Sequence, residues 1–373
     1  LCHFTSGSEF GWRSGTGKFP QEYPDNLPGI INIGQGSPTG VMHGEGLKFP
    51  AYYQNGLYLF DWSYGTMYFA RLNPQGSSYT VDLTEFLSGV PLPLTNGLVG
   101  DDGAMYFLTG GRSLESVLYK LTYTGEKPAE IIKLSENEAG KEERTLRKKL
   151  ESYHSKKESE MIGFILGNLD HEDRVIRFSA RIALENQDYE LWKNEIKNSS
   201  STLKTTALSL SMARHGDDVD KLNALNKLLA IEWTSLAESQ KIDFIRAIQL
   251  LLIRLEGELP FAQIDRITEL LSPAYLSSSN LVNKELCETL SYLQVADIIE
   301  PTLEKMENDT IVSKEQRSVY LAENISKRSE QYGVAVENML DNMPNAQNIS
   351  YAKSLSVIKE GWTNDARKRY FKW

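Results

Sequence analysis

One stretch, residues 91–125, constrains the fold of this chain more than any other. It reads PLPLTNGLVGDDGAMYFLTGGRSLESVLYKLTYTG, so that short apolar segments are separated by turn residues. The Asp102-Gly103 pair can supply the positive φ of a tight hairpin turn. Apolar and polar residues alternate over 117–123, as in a strand with one buried face. The stretch therefore predicts consecutive antiparallel strands joined by short turns.

The character of the sequence changes abruptly after this stretch. Residues 1–125 are rich in glycine, proline and aromatic residues, whereas leucine, glutamate, lysine, alanine and serine dominate from about residue 137 onward. The highly charged run KEERTLRKKLESYHSKK lies at the junction. A meander of four short strands is typical of one blade of a β-propeller. We therefore predict about two to three propeller blades over 1–125 and a charged linker that turns helical over 126–157.

The remaining residues, 158–373, have the period of α-helices. In LDHEDRVIRFSARIALE, small and apolar residues recur with spacings i, i+3, i+4, i+7 and i+8 from Val175, and Asp170 is the predicted N-cap. Helix pairs that recur at roughly 40 residues favour a HEAT-like solenoid, and an array of unrelated helical hairpins is the alternative. Further helices are predicted at 203–214, 219–233, 241–255, 261–271, 281–293, 296–306, 315–329 and 351–358.

The predicted fold class is thus multidomain β + α, with the C-terminal blades of a β-propeller followed by an α-helical HEAT-like solenoid. The formal net charge of -10 argues against nucleic-acid binding, which needs a basic face. Cys2 and Cys287 are expected to be free thiols. No apolar run reaches the roughly 18–20 residues of a membrane span. Since the chain begins Leu-Cys-His without Met or a signal peptide, we expect a fragment of a longer protein.

Several short motifs resemble ligand-binding or metal-binding sequences. GWRSGTGKF lacks the Ser or Thr that a phosphate-binding loop needs after its lysine, because Lys18 is followed by Phe19. The histidines show no zinc-binding spacing, and only His43, in a predicted loop, is a candidate for a site. Asp101 and Asp102 could bind Ca²⁺, but a turn is the stronger interpretation. The sequence predicts no metal site and no catalytic group.

Two positions at predicted strand ends are candidate binding residues. Asp61 and Trp62 follow a strand, where loops carry function, although packing of Trp62 between blades is an equally good interpretation. Arg112 follows two glycines at a turn, and it is either an anion contact or a solvated turn residue.

Three segments carry a resemblance to a known family: CHFTSGSEFGWRSGTGKFPQEYPDNLPG, GSPTGVMHGEGLKFP and PLPLTNGLVGDDGAMYFLTGGR. They resemble the large bacterial haem-binding, dehydrogenase-like proteins. In that family a propeller of the sorbosone and soluble glucose dehydrogenase type is followed by HEAT-like repeats and a cytochrome c domain. The resemblance implies an exported, periplasmic, electron-transferring sugar or alcohol dehydrogenase, with its haem outside this fragment.

The resemblance also indicates where a quinone cofactor would bind. In the glucose dehydrogenase branch a lysine and two arginines hold pyrroloquinoline quinone, and their places here are taken by Ser63, Pro93 and Thr95. Because none of these can neutralise a carboxylate, the sequence argues against that quinone and leaves the cofactor open. The candidate cofactor-binding residues are the loop positions Asp61, Trp62, Ser63, Thr95 and Arg112.

Two functions follow from these observations. The first is part of a redox enzyme without a complete catalytic site in this stretch. The alternative is a non-catalytic scaffold that binds a protein or carbohydrate partner on its helical repeats.

Overall fold

The structure, a computed structural model, contains both strands and helices. It describes residues 1–10, 12–13, 17–18, 20–34, 36–125, 129–133, 138–309, 334–335, 338, 342 and 344–372. These residues divide into two compact units. The first takes in the described part of Ile30–Lys141, and the second takes in those of Cys2–Gly29, Glu142–Ile311 and Pro344–Trp373.

The strands form antiparallel sheets. A two-residue pair, β1 (Trp12–Arg13) and β2 (Gly17–Lys18), belongs to the second unit. The first unit holds a four-stranded sheet in the order β3-β4-β5-β6, a three-stranded sheet in the order β7-β8-β9, and a short helix, α1 (Ala51–Gln54). The strands are β3 (Pro38–His43), β4 (Leu57–Asp61), β5 (Thr66–Gln75), β6 (Ser78–Ser88), β7 (Leu94–Val99), β8 (Met105–Gly111) and β9 (Leu114–Leu121).

Local sequence signals account for these strands. Gly103 adopts φ +79° and its N–H donates to Gly100 O at 2.8 Å, which closes the predicted Asp-Gly turn between β7 and β8. The two sheets share one hydrophobic cluster, in which Tyr58 and Phe69 of the larger sheet are buried with Leu94 and Phe107 of the smaller one. The predicted consecutive antiparallel strands and short turns are therefore present. The buried face predicted over 117–123 is wrong, because Val117 and Tyr119 of β9 are exposed.

The predicted fold class, propeller blades followed by a HEAT-like solenoid, is wrong. The two sheets hold four and three strands, neither closes on itself, and no propeller blades are seen among the described residues. Thirteen α-helices accompany them in the described ranges, so this is an α/β fold. The error has a physical reason: Asp-Gly turns and alternating apolar residues specify antiparallel pairing between neighbours, which many all-β arrangements share, and not the number or closure of sheets.

The helices of the second unit vary in length from 4 to 17 residues. They are α2 (Lys141–Glu151), α3 (Ile162–Leu166), α4 (Arg174–Glu185), α5 (Glu195–Asn198), α6 (Thr202–His215), α7 (Asp218–Leu228), α8 (Glu238–Arg254), α9 (Phe261–Leu271), α10 (Asn280–Tyr292), α11 (Ile299–Asn308), α12 (Ala346–Leu355) and α13 (Asn364–Lys372). The charged segment turns helical at α2, as predicted. The helix predicted at 315–329 lies outside the described residues.

Several helices, among them α4, α6, α7 and α10, begin at a capping side chain. Asp173, and not the predicted Asp170, is the N-cap of α4, because its carboxylate accepts from the backbone N–H of Val175 and Ile176. Both cysteines are free, and Cys287 is buried. No described helix is both long and apolar enough to cross a membrane.

One segment lies outside the unit that its position in the sequence suggests. The sequence-based division groups residues 2–29 with the strands, whereas in the structure Cys2–Gly29 belongs with the helices. Within it, residues 20–27, here called the strap, contain the buried side chains of Tyr23 and Leu27, and Tyr23 packs in the hydrophobic core of the helical unit. The strap helps to form the site described next.

Candidate functional site

The residues predicted from sequence lie at turns of the first unit. Asp61, at the end of β4, is buried, and its carboxylate accepts from the backbone N–H of Ser37 at 2.5 Å and Tyr64 at 2.7 Å. Burial raises the pKa of Asp61, and these backbone hydrogen bonds act in the opposite direction. These contacts give Asp61 a role in holding the turn.

The structure brings Trp62 and Arg112 together. The guanidinium of Arg112 lies 5.1 Å from the centroid of the Trp62 ring, and Trp62 Nε1 donates to Gly110 O at 2.7 Å. Ser63 Oγ donates to Ser37 Oγ at 2.7 Å, and Thr95 Oγ1 donates to Leu108 O at 3.0 Å. None of these contacts tests cofactor binding, so the assignment of Asp61, Trp62, Ser63, Thr95 and Arg112 as cofactor-binding residues stays a prediction.

The other candidate residues, His43 and Asp102, make local structural contacts. His43 Nδ1 accepts from the N–H of Glu45 at 3.1 Å. Asp102 pairs with Lys120 at 2.7 Å and accepts from the hydroxyl of Tyr106 at 2.9 Å. Across the described ranges, no group of three or more His, Cys, Asp or Glu residues is arranged to hold a metal ion.

A cavity in the second unit has the most distinctive chemistry. Helix α4 lines it with Arg174, Arg177, Phe178 and Arg181, which share one face because they are spaced i, i+3, i+4 and i+7. Helix α6, helix α8 and the strap complete its wall, and its volume is about 80 Å³. We call it the arginine cavity.

Two of the arginines are fixed by main-chain oxygens. Arg174 Nη2 donates to the carbonyl oxygens of Gln21 at 2.7 Å and Tyr23 at 2.6 Å, both in the strap. Arg177 Nη1 donates to the carbonyl oxygens of His171 at 2.6 Å and Glu172 at 2.9 Å. Burial lowers the pKa of both guanidiniums, yet arginine remains charged in proteins. The cavity therefore holds positive charge in a fixed position.

Two buried polar atoms of the cavity wall lack partners. Arg181 Nε and Thr206 Oγ1 make no hydrogen bond among the described residues, although each side chain is only 3% exposed. Buried polar atoms are nearly always hydrogen-bonded, and leaving one unpaired costs about 1–3 kcal/mol. Both residues line the arginine cavity, but the two atoms themselves are closed to water-sized groups, so a ligand there pairs with them once the wall side chains adjust.

Asp243 of α8 is the acidic group of the cavity. Its carboxylate makes no hydrogen bond, and no ion pair within 4.0 Å, to any residue that the structure describes. Burial raises the pKa of Asp243 to about 6, even though Arg174 and Arg177 act in the opposite direction. At neutral pH it is an ionised carboxylate without a donor.

A chain of ion pairs holds the strap beside the cavity. Arg246 donates to both carboxylate oxygens of Asp25, at 3.0 and 2.9 Å, and its guanidinium lies 4.2 Å from the centroid of the Tyr23 ring. Arg214 links Asp25, at 3.6 Å, to Glu185, at 3.7 Å, and Glu185 in turn pairs with Arg181. Burial acts to raise the pKa of Asp25, but the Arg246 contact outweighs it and the pKa is lowered.

The size and charge of the cavity limit its occupant. A water molecule needs about 10–15 Å³ of such volume, so about 80 Å³ accommodates about five to eight atoms of that size. The lining contains three arginines and two carboxylates, those of Asp243 and Glu22, so its own formal charge is +1, and Arg181 also pairs with Glu185 outside the lining. A small anion meets both conditions.

Sequence reasoning missed this site. The signal was present in RVIRFSAR, where three arginines recur at helical spacing, but that segment was interpreted only for its apolar face. The contributions of Thr206, Asp243 and the strap could not be found in this way, because they come from distant parts of the chain.

No protein family matches the chain, and neither a curated protein nor a solved structure does. The resemblance to dehydrogenase-like proteins therefore stays a prediction.

Proposed function

We propose that this protein binds a small oxyanion, a phosphate-type or carboxylate group, in the arginine cavity. One observation carries the proposal: Arg181 Nε and Thr206 Oγ1 are buried in the cavity wall without a hydrogen-bond partner among the described residues. Both are donors, and they lie on a wall that also holds Arg174 and Arg177. An oxyanion supplies the acceptors that these donors lack.

The described contacts of the arginines support the same ligand. Arg174 uses Nη2 and Arg177 uses Nη1 for the main-chain oxygens, whereas each guanidinium has five N–H donors. Fixing one arm of each guanidinium reduces the entropy lost on binding. The lining is therefore preorganised for a negatively charged group.

Isothermal titration calorimetry with inorganic phosphate tests the proposal. We expect saturable binding to the wild-type chain, weakened about 10- to 100-fold in Arg177→Gln, because a hydrogen bond to a charged group contributes about 1.5–3 kcal/mol. Thr206→Val removes a neutral donor with little change of shape, and a smaller loss of about 2- to 10-fold is expected.

The control is Arg367→Gln, on an exposed face of α13. It removes the same charge from the chain without touching the cavity. Equal weakening in Arg367→Gln and Arg177→Gln would mean that net charge, and not the cavity, governs binding. Absence of phosphate binding to the wild-type chain would refute the proposal.

The dehydrogenase interpretation, its exported location and a protein or carbohydrate partner for the helices stay predictions. Titration with pyrroloquinoline quinone, followed by substrate-dependent dye reduction, would test the redox interpretation directly. Saturable quinone uptake would favour it.

A further inference from the structure

We infer that the arginine cavity selects oxyanions that still carry a proton, such as hydrogen phosphate, over those that carry none, such as sulfate, and that Asp243 makes this selection. The inference rests on the proposed anion site and specifies its ligand. It makes Asp243 a residue that determines specificity by accepting a hydrogen bond from the ligand.

The first step of the argument is the surroundings of Asp243. Asp243 is partly buried, and such a carboxylate among arginines is expected to form an ion pair with one of them. Asp243 lines the cavity with Arg174 and Arg177, yet no residue in the described ranges pairs with it within 4.0 Å. Its oxygens are therefore available to a ligand in the cavity and are not committed to neutralising the wall.

The second step is the hydrogen-bonding capacity of the groups. An ionised carboxylate can only accept hydrogen bonds. An oxyanion with an O–H group can donate that proton to Asp243 while its other oxygens accept from Arg181 Nε and Thr206 Oγ1. An oxyanion without a proton instead places a negatively charged oxygen next to the carboxylate. The two like charges then repel each other in a small, partly desolvated space.

The third step is the expected strength of the discrimination against an oxyanion without a proton. A site built to exchange hydrogen bonds with a ligand discriminates sharply against an analogue that lacks the donor, because its buried polar group is then left unpaired. Repulsion of the wrong ligand contributes to specificity as much as attraction of the right one. Of the other acidic groups nearby, Asp25 is engaged by Arg246 and Arg214, whereas Glu22, on the strap, also lines the cavity.

The test compares inorganic phosphate with sulfate above neutral pH, by isothermal titration calorimetry on the whole chain. There Asp243 is ionised, phosphate retains one proton and sulfate retains none. For the wild-type chain we expect phosphate to bind at least about tenfold more tightly than sulfate. In Asp243→Asn, whose amide can also donate a hydrogen bond, sulfate binding should strengthen and the ratio should fall to about one.

The matched control is Asp265→Asn on the exposed face of α9, which must leave the ratio unchanged. Far-ultraviolet circular dichroism confirms that each variant is folded. Equal binding of phosphate and sulfate to the wild-type chain would contradict this inference and leave the proposed anion site standing. Failure of both anions to bind would contradict the proposed site and this inference together, and a changed ratio in Asp265→Asn would contradict the assignment to Asp243.

Discussion

The carboxylates of Asp61 in the first unit and Asp25 in the second are held in different ways. In the first unit, Asp61 is bonded by the backbone N–H groups of Ser37 and Tyr64. Gln54 likewise donates to the carbonyl oxygens of Phe49 and Glu130, both at 2.7 Å. In the second unit, Asp25 is held by the side chain of Arg246, 221 positions away in the chain, and the buried carboxylate of Glu285 accepts from the side chains of Tyr23 and Gln249.

This difference has consequences for stability. A main-chain partner remains in place when its neighbours are substituted, whereas a side-chain partner can be removed by one substitution that leaves a buried charge behind. Removing one partner of a buried pair costs more than the pair itself contributes. The environment of Asp25 should therefore be more sensitive than that of Asp61 to a single substitution of a neighbour.

The largest effect is expected for Arg246→Ala. It leaves Asp25 buried without its bidentate partner and should lower the free energy of unfolding of the second unit by about 3–5 kcal/mol. Denaturant unfolding followed by tryptophan fluorescence reports on this unit, because Trp192 and Trp233 are buried in its core.

Arg369→Ala is the control for this substitution. Arg369 also binds two carboxylates, those of Glu300 and Glu307, but these are about half exposed. Pairs at the surface contribute little, so the loss should be much smaller than for Arg246→Ala. Similar losses for the two variants would contradict the distinction between buried and exposed pairs.

A smaller loss is expected in the first unit for Asp61→Ala. The backbone N–H of buried Tyr64 loses its acceptor, which should cost about 1–3 kcal/mol. Asp61→Asn retains one acceptor oxygen and should cost less. The measurement is thermal unfolding, with Asp101→Ala as the control, since Asp101 lies exposed in the turn after β7. A loss for Asp61→Ala as large as that for Arg246→Ala would remove the contrast between the environments of Asp61 and Asp25.

The smallest effect is a gain of stability, and it depends on pH. Because the pKa of Asp243 is raised to about 6, the folded chain bears the full cost of this charge above that pH and none of it below the ordinary carboxyl pKa. At pH 7 the free energy of unfolding of Asp243→Asn should therefore exceed that of the wild-type chain by about 1–2 kcal/mol, given 1.36 kcal/mol per pKa unit and some solvent screening.

The difference between Asp243→Asn and the wild-type chain should shrink as the pH falls through about 6. Urea unfolding of both chains across this range gives the measurement. A difference that is independent of pH would show that Asp243 does not titrate there.

Part of the fold could be predicted from sequence because its causes are local. The turn at Gly103, the strand β8 and the helix α9 each follow from residues that are neighbours in the chain. The arrangement of the sheets could not be predicted, because closure depends on how many sheets pack together and not on the turns within one.

Less of the candidate site than of the fold could be predicted from the sequence. The arginine stripe of α4 is visible in the sequence, but its meaning depends on Thr206, Asp243 and the strap. The pairing of Asp25 with Arg246 joins residues that no local pattern connects, and Asp170, a plausible cap by composition, lies three residues from the actual cap, Asp173.

The strap is held by two kinds of contact that tolerate sequence change differently. Arg174 binds carbonyl oxygens, which every amino acid provides, so an exposed position such as Gln21 can diverge over evolution without loss of this anchor. Tyr23 and Asp25, in contrast, are recognised by their side chains, and their spacing fixes the alignment of the segment. An insertion of one residue between them would be far more disruptive than replacement of Gln21, so homologues should vary in composition here before they vary in length.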